Sequence, residues 1–96
     1  MADKPQVHAV GVIVENGQGK ILVLLRHPDV PEGSTWGLSG GKVSEGRTSI
    51  QTALVKLSGE TGIALRESDL VLTRSYHWNR HDMDLQFDVY RARVGK

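Results

Sequence analysis

Residues 39–63 read SGGKVSEGRTSIQTALVKLSGETGI, which has the frame of a phosphate-chemistry motif: paired glycines, a capped amphipathic segment, then Glu-Thr-Gly-Ile. A site of that kind is expected to be crowded with acids, yet Arg47, Lys56 and Gly59 stand inside it and Glu60 is the acid near its end. Other side chains able to do chemistry are few. His77 and His81 lie four apart, with Asp82 and Asp84 following, and could in principle chelate a transition metal. The two histidines straddle a strand end and its turn, so their side chains are not fixed toward one point, and a solvated turn is the preferred reading. His8 reads as a hydrogen-bonded sheet residue. Trp36 and Trp78 could stack on a base or serve as core or rim aromatics. There is no cysteine, which excludes disulfides and thiolate chemistry.

The elements that must position these residues can be read from periodicity. His8-Ala-Val-Gly-Val-Ile-Val14 is β-branched and largely apolar, as a strand buried on both faces would be. Asn16-Gly17 carries the signal of a tight turn, and Lys20–Arg26 follows as a second strand, so a hairpin is expected. His27–Thr35 holds two prolines and a glycine and reads as a loop; Trp36–Leu38 is a brief extended piece entering the glycine pair. Thr48 and Gln51, three apart, form a capping box. Ile50, Ala53, Leu54 and Leu57 then fall at i, i+3, i+4 and i+7, one apolar helical stripe that Gly62 terminates. Leu70–Tyr76 and Leu85–Val94 read as two further strands around a polar turn. The order strand, strand, helix, strand, strand gives a mixed α/β arrangement.

Ninety-six residues make one small domain, and 39% hydrophobic content suffices for a modest core. Twelve Lys+Arg against eleven Asp+Glu leave a net charge of +1, which gives no electrostatic reason to expect nucleic acid or an anionic membrane as partner. The N-terminus, MADKPQ, lacks the apolar core of a signal peptide, and no apolar run is long enough to span a bilayer. A soluble cytoplasmic protein is expected.

Gly41 through Ile63 resembles the Nudix box, the signature G-x5-E-x7-R-E-U-x-E-E-x-G-U of the MutT-like Nudix hydrolases, with U an apolar residue. Gly41, Leu57, Glu60, Gly62 and Ile63 match it without gaps, and Trp36-Gly-Leu-Ser-Gly-Gly-Lys-Val43 is similar to the family's approach to the box. The departures are Arg47 for the first glutamate, Val55 for the arginine, Lys56 for the next glutamate and Gly59 for the first of the glutamate pair; Ser39 stands where proline is common.

The resemblance implies a hydrolase of nucleoside diphosphates linked to some other group X, with Mg²⁺ or Mn²⁺ as cofactor and a nucleotide or other diphosphate as partner. Hard divalent cations offset the charge of attacked and leaving phosphate, and they need several carboxylate oxygens. The family's glutamates at i, i+3 and i+4 become Lys56, Gly59 and Glu60 here, so one carboxylate remains as metal ligand and catalytic residue. Lys56 can pair with Glu60 one turn away. Glu45 and Glu67 occupy no ligand position of the pattern. Substrate contacts carried over are Arg26, Gly40, Gly41, Arg47 and Lys56; Arg26 reads equally as a surface arginine at a strand end. Two functions are therefore expected as alternatives: a catalytically impaired hydrolase, or a non-catalytic nucleotide-binding or interaction module in which Arg47 and Lys56 hold phosphate directly. The fold implied is a Nudix-like mixed sheet with the box helix on one face, in a shortened single domain, residues 1–96, lacking the second long helix of the family's three-layer sandwich. The opposite sheet face then needs a cover, and a homodimer is the expected one.

Overall fold

The structure, a computed structural model, describes residues 5–25, 36–79 and 81–94. Its centre is β1, Gln6–Glu15, where Val10, Val12 and Val14 alternate onto one buried face. Three more strands complete a mixed sheet: β4 (Ser39–Lys42), β5 (Val71–Asn79) and β6 (Asp84–Arg93), in the order β4-β1-β6-β5. β1 pairs antiparallel with β4, from Ala9 opposite Lys42 to Val12 opposite Ser39. It pairs parallel with β6 along its whole length, Gln6 with Asp84 through Glu15 with Arg93. A parallel pair needs a long crossover, and the chain between the two strands supplies it, carrying the helix with it. β5 and β6 form the expected antiparallel hairpin, Asn79 opposite Asp84 at its turn end.

The hairpin expected at Asn16-Gly17 forms only in part. Asn16 Oδ1 accepts from the Gln18 and Lys20 amides, and the Leu22 amide donates to Val14 O, but the ladder with β1 stops after one bridge, Glu15 to Ile21. The chain then leaves the main sheet. β2 (Leu24–Leu25) pairs instead with β3 (Trp36–Gly37) in a separate two-stranded sheet. The physical reason is competition: both edges of β1 are already taken, by β4 and β6.

Helix α1 runs Ser49–Thr61. Both halves of the capping box are made, Gln51 N donating to Thr48 Oγ1 and Thr48 N to Gln51 Oε1. Gly62, at φ 78°, adopts the left-handed conformation that closes the helix, its amide donating to Ser58 O. Ala53 and Leu57 are fully buried against Val10, Val12, Val14, Leu70, Tyr90 and Ala92, with Ile50 and Leu54 at the margin of that core. α1 thus covers one face of the sheet, contacting β4 and β1 most heavily. It is the one α-helix among the described residues. On the opposite face the Phe87 ring lies against Gly11, where an added Cβ would approach it to 2.7 Å. Further out on that face Tyr76 and Trp78 stack at 5.6 Å and 14°, with the Arg74 guanidinium 5.8 Å from the Tyr76 ring, and both rings remain partly exposed. Among the described residues no helix is long and apolar enough to cross a membrane.

Candidate active site

The glycine pair lies on β4, and close packing against β1 dictates its residue types. A Cβ on Gly40 would overlap the Val10 carbonyl oxygen and come within 2.9 Å of Gly11 Cα, so no larger residue fits. Ser39, beside it, is buried and faces α1. Its hydroxyl donates to Glu60 Oε1 at 2.6 Å, and the Gly40 amide donates to the same oxygen at 2.9 Å. Glu60 therefore ties the C-terminal turn of the helix to the glycine strand. A proline at position 39 would have no hydroxyl to offer, so this departure from the common pattern creates one of the two bonds.

Lys56 lies one turn before Glu60. Its aliphatic stem packs on Gly41: a Cβ at that glycine would be 2.9 Å from Lys56 Cε and 3.5 Å from its Nζ. The Lys56–Glu60 pair expected from their spacing is not formed; Glu60 bonds Ser39 and Gly40, which present a hydroxyl and a fixed amide at short range without ordering a long side chain. Gly59 faces open space. Arg47 closes the turn from Ser44, its amide donating to Ser44 O at 3.1 Å, just before the cap of α1. A thirteen-residue helix, roughly 20 Å long, separates that end from Glu60. The structure thus brings Gly40, Gly41, Lys56 and Glu60 together and leaves Arg47 at the far end of the helix. Arg26, and the Trp36 side chain, lie outside the described residues.

The residues present do not fit a magnesium or manganese ion. Such ions require several oxygen ligands in near-octahedral order, whereas this corner offers one carboxylate, one of whose oxygens already accepts two hydrogen bonds, beside an ammonium. Glu45 is exposed on the loop and Glu67 begins a 3-10 turn, Glu67–Asp69. Among the described residues no group of three or more His, Cys, Asp or Glu is placed to hold a metal, the His77–Asp84 region included. What the corner can do is present a lysine cation beside a glycine strand, a point charge that can hold an anion.

A second polar cluster, at the other end of α1, was not anticipated as a site. Asp88 on β6 is 4% exposed and accepts four hydrogen bonds. His8 Nε2 (2.6 Å) and Ser49 Oγ (2.7 Å) reach Oδ2; Ser75 Oγ (2.6 Å) and Gln86 Nε2 (3.1 Å) reach Oδ1. Tyr90 donates in turn to Ser49 Oγ at 2.9 Å. Burial acts to push the Asp88 carboxyl up, but the bonds from Ser75, Ser49, Gln86 and His8 outweigh it and hold the group well below the usual carboxylate range. His8 fulfils its expected role as a hydrogen-bonded sheet residue. The one sequence signal for the cluster was an aspartate in the otherwise strand-like run Leu85–Val94; its partners come from residues 13, 39 and 80 positions away.

A mixed sheet with a capped helix on one face, joined to a glycine strand through a helix-end glutamate, defines a small α/β domain. Solved structures agree on the fold. The MutT protein from Methanosarcina mazei Go1 superposes with a TM-score of 0.77 at 21% identity, covering 100% of this chain and 70% of that one. A MutT/nudix family protein from Enterococcus faecalis gives 0.82 at 21% identity over 100% of this chain and 39% of its own. The MutT NUDIX hydrolase from Burkholderia pseudomallei gives 0.76 at 24% identity over 95% and 69%. The chain thus spans between about two fifths and 70% of the lengths of these relatives. No curated protein shows significant sequence similarity to it. The NUDIX domain model matches residues 5–94, and the chain belongs to the NUDIX family.

Proposed function

We propose that this NUDIX domain is related by descent to hydrolases of nucleoside diphosphates linked to another moiety, has lost most or all of their metal-dependent chemistry, and binds a diphosphate-containing small molecule. The observation that carries this reading is the corner itself: the one box carboxylate, Glu60, is engaged by Ser39 and Gly40, and Lys56 packs on Gly41 where a further carboxylate would be needed. Removing ligands from a metal's coordination shell removes the metal, and with it the Lewis acid that diphosphate hydrolysis requires. Lys56 supplies a fixed positive charge in compensation. Its ammonium can hold a phosphate oxygen as a point charge, with no divalent ion between. Arg47, a helix length away, contributes at most to a distal part of the ligand.

Nucleoside diphosphate titrated in EDTA tests both halves of the proposal. Binding should be weak, about millimolar, should weaken steeply with added salt because the Lys56 region is solvent-facing, and should be lost in Lys56→Ala. Hydrolysis of nucleoside diphosphate sugars at millimolar magnesium should stay at background. Turnover of about one per second or more would overturn the loss of chemistry. Equal affinity in the parent and Lys56→Ala would remove the lysine from the account.

The sheet face opposite α1, with Phe87, Tyr76 and Trp78, favours a second reading that is compatible with the first, a homodimer that covers this surface. Sedimentation across micromolar to millimolar concentration decides it; a strict monomer of about 10 kDa, the mass of one chain, excludes it.

A further inference from the structure

β5 closes the strand order β4-β1-β6-β5, and no strand among the described residues pairs with its outer side. All nine of its residues, Val71–Asn79, are exposed. Such an edge presents a row of backbone N–H and C=O groups ready to pair with another extended chain, and sheets commonly blunt it with proline, lysine or a bulge. β5 holds no proline and no lysine, and its one irregularity comes early, where the register with β6 shifts between Leu72 and Arg74. From Arg74 onward the pairing with β6 is unbroken. The other edge strand, β4, is only four residues long.

The side chains on this stretch complement themselves when the strand is turned end for end. Arg74, Tyr76 and Trp78 alternate onto the face opposite α1, with Tyr76 beside Phe87 and Trp78 beside Leu85 on β6. Within one chain they already form a ladder, the two rings stacked at 5.6 Å and the guanidinium 5.8 Å from the Tyr76 centroid. A two-fold axis at Tyr76 sets Arg74 opposite the partner's Trp78 and Tyr76 opposite the partner's Tyr76. On the other face Ser75 meets the partner's His77. Cation on aromatic, aromatic on aromatic and hydroxyl beside imidazole are favourable cross-strand pairs. Other registers do worse. An axis at Arg74 opposes two guanidinium groups, which is destabilising, and one at Ser75 draws the irregular Thr73 into the seam. An axis at His77 opposes two imidazoles and carries Arg74 past the partner strand, which ends at position 79.

We propose that β5 pairs antiparallel with β5 of a second copy, centred on Tyr76, so that two four-stranded sheets become one of eight with both α1 helices on the same face. This seam rests on the homodimer reading and names the edge that forms it. An unrelated extended peptide would make the same backbone bonds without the three side-chain pairs, so a second copy is the occupant the edge fits.

Because the chain contains no cysteine, single introduced thiols report the register. Opposed residues of an antiparallel pair have Cα atoms about 4.5–5.5 Å apart, inside the span of about 4.4–6.8 Å that a disulfide bridges. Mild oxidation should therefore link Tyr76→Cys to itself as a covalent dimer. Trp78→Cys should stay unlinked, since its two copies would lie more than about 12 Å apart along the strands. Sedimentation of the whole parent chain should give a dimer with a Kd of about 0.1 mM or tighter. Tyr76→Glu, at a side chain that is already exposed, places two carboxylates face to face on the axis and should weaken the dimer at least about tenfold, with circular dichroism showing the fold retained. Arg74→Glu removes the cation from both Trp78 contacts and serves as the second variant should Tyr76→Glu lose structure; it should act in the same direction. A strict monomer, including one that captures an extended peptide along β5, would overturn both this seam and the homodimer reading. A dimer unchanged in both glutamate variants, or one in which Trp78→Cys links as readily as Tyr76→Cys, would overturn the β5 seam alone and leave a dimer covering the sheet face standing.

Discussion

Replacing Asp88 with asparagine should destabilise the fold, and the size of the effect follows from its hydrogen bonds. The carboxylate accepts four at 2.6–3.1 Å, linking β1, β5, β6 and the first residue of α1. Hydrogen bonds to a charged acceptor contribute about 1.5–3 kcal/mol against about 1 for neutral ones. Asparagine keeps one acceptor oxygen and turns an NH₂ toward two of the present donors. Ser49 or Ser75 can rotate to accept, but the charge assistance is lost at every bond. Relief of burying a charge offsets part of this, leaving a net cost of about 2–3 kcal/mol at neutral pH. For a domain of this size that lowers Tm by about 10–20 °C. The pH dependence has a definite sign. The folded carboxyl titrates below its unfolded value of about 3.9, so its stabilising contribution is complete above that pH and declines as pH falls through the acid range toward the folded value. Urea unfolding of parent and Asp88→Asn at neutral pH and at about pH 2.5 should show a gap that narrows on acidification. A gap under about 0.5 kcal/mol at neutral pH, a variant more stable than the parent, or a gap that does not respond to acid would refute the reasoning, since each would mean that burial and not hydrogen bonding governs this group.

Gly40→Ala should cost at least about 2 kcal/mol, because the new methyl group overlaps the Val10 carbonyl oxygen in a rigid backbone pair; chemical unfolding reads it, and a change below about 0.5 kcal/mol would show that β4 and β1 can separate freely. The triple variant Arg47→Glu, Lys56→Glu, Gly59→Glu should bind Mn²⁺ where the parent does not, since two of the new carboxylates share a helical face with Glu60 and Gly59 has open space around it. Paramagnetic broadening of the Glu60 region checks it, and flat metal affinity would count against the assignment of positions 56, 59 and 60 to the metal-binding face. Gly59→Glu within that set should add up to about 1 kcal/mol of helix stability.

Local features were legible because their causes are local. Thr48 and Gln51 cap each other across three residues, Ala53 and Leu57 repeat with the helical period, and Gly62 reaches the left-handed region that most residues avoid; the sequence by itself therefore determined α1 and its limits. The spacing from Gly41 to Ile63 likewise carried the family, which the match over residues 5–94 bears out. Strand partners were less legible. Asn16-Gly17 encodes a turn, but whether the strand after it stays on β1 depends on what else claims that edge, and β4 and β6 claim both. The site was decided at the same level. That Glu60 would meet Ser39 and Gly40, and not Lys56, depends on where a sheet places β4 beside the helix end. That Lys56 would lie on Gly41 depends on the missing Cβ of a residue fifteen positions away. Asp88 is the extreme case: its donors include residues up to 80 positions distant, and only the tertiary structure gathers them, because a buried carboxylate takes its hydrogen bonds from whichever chain segments packing brings alongside it.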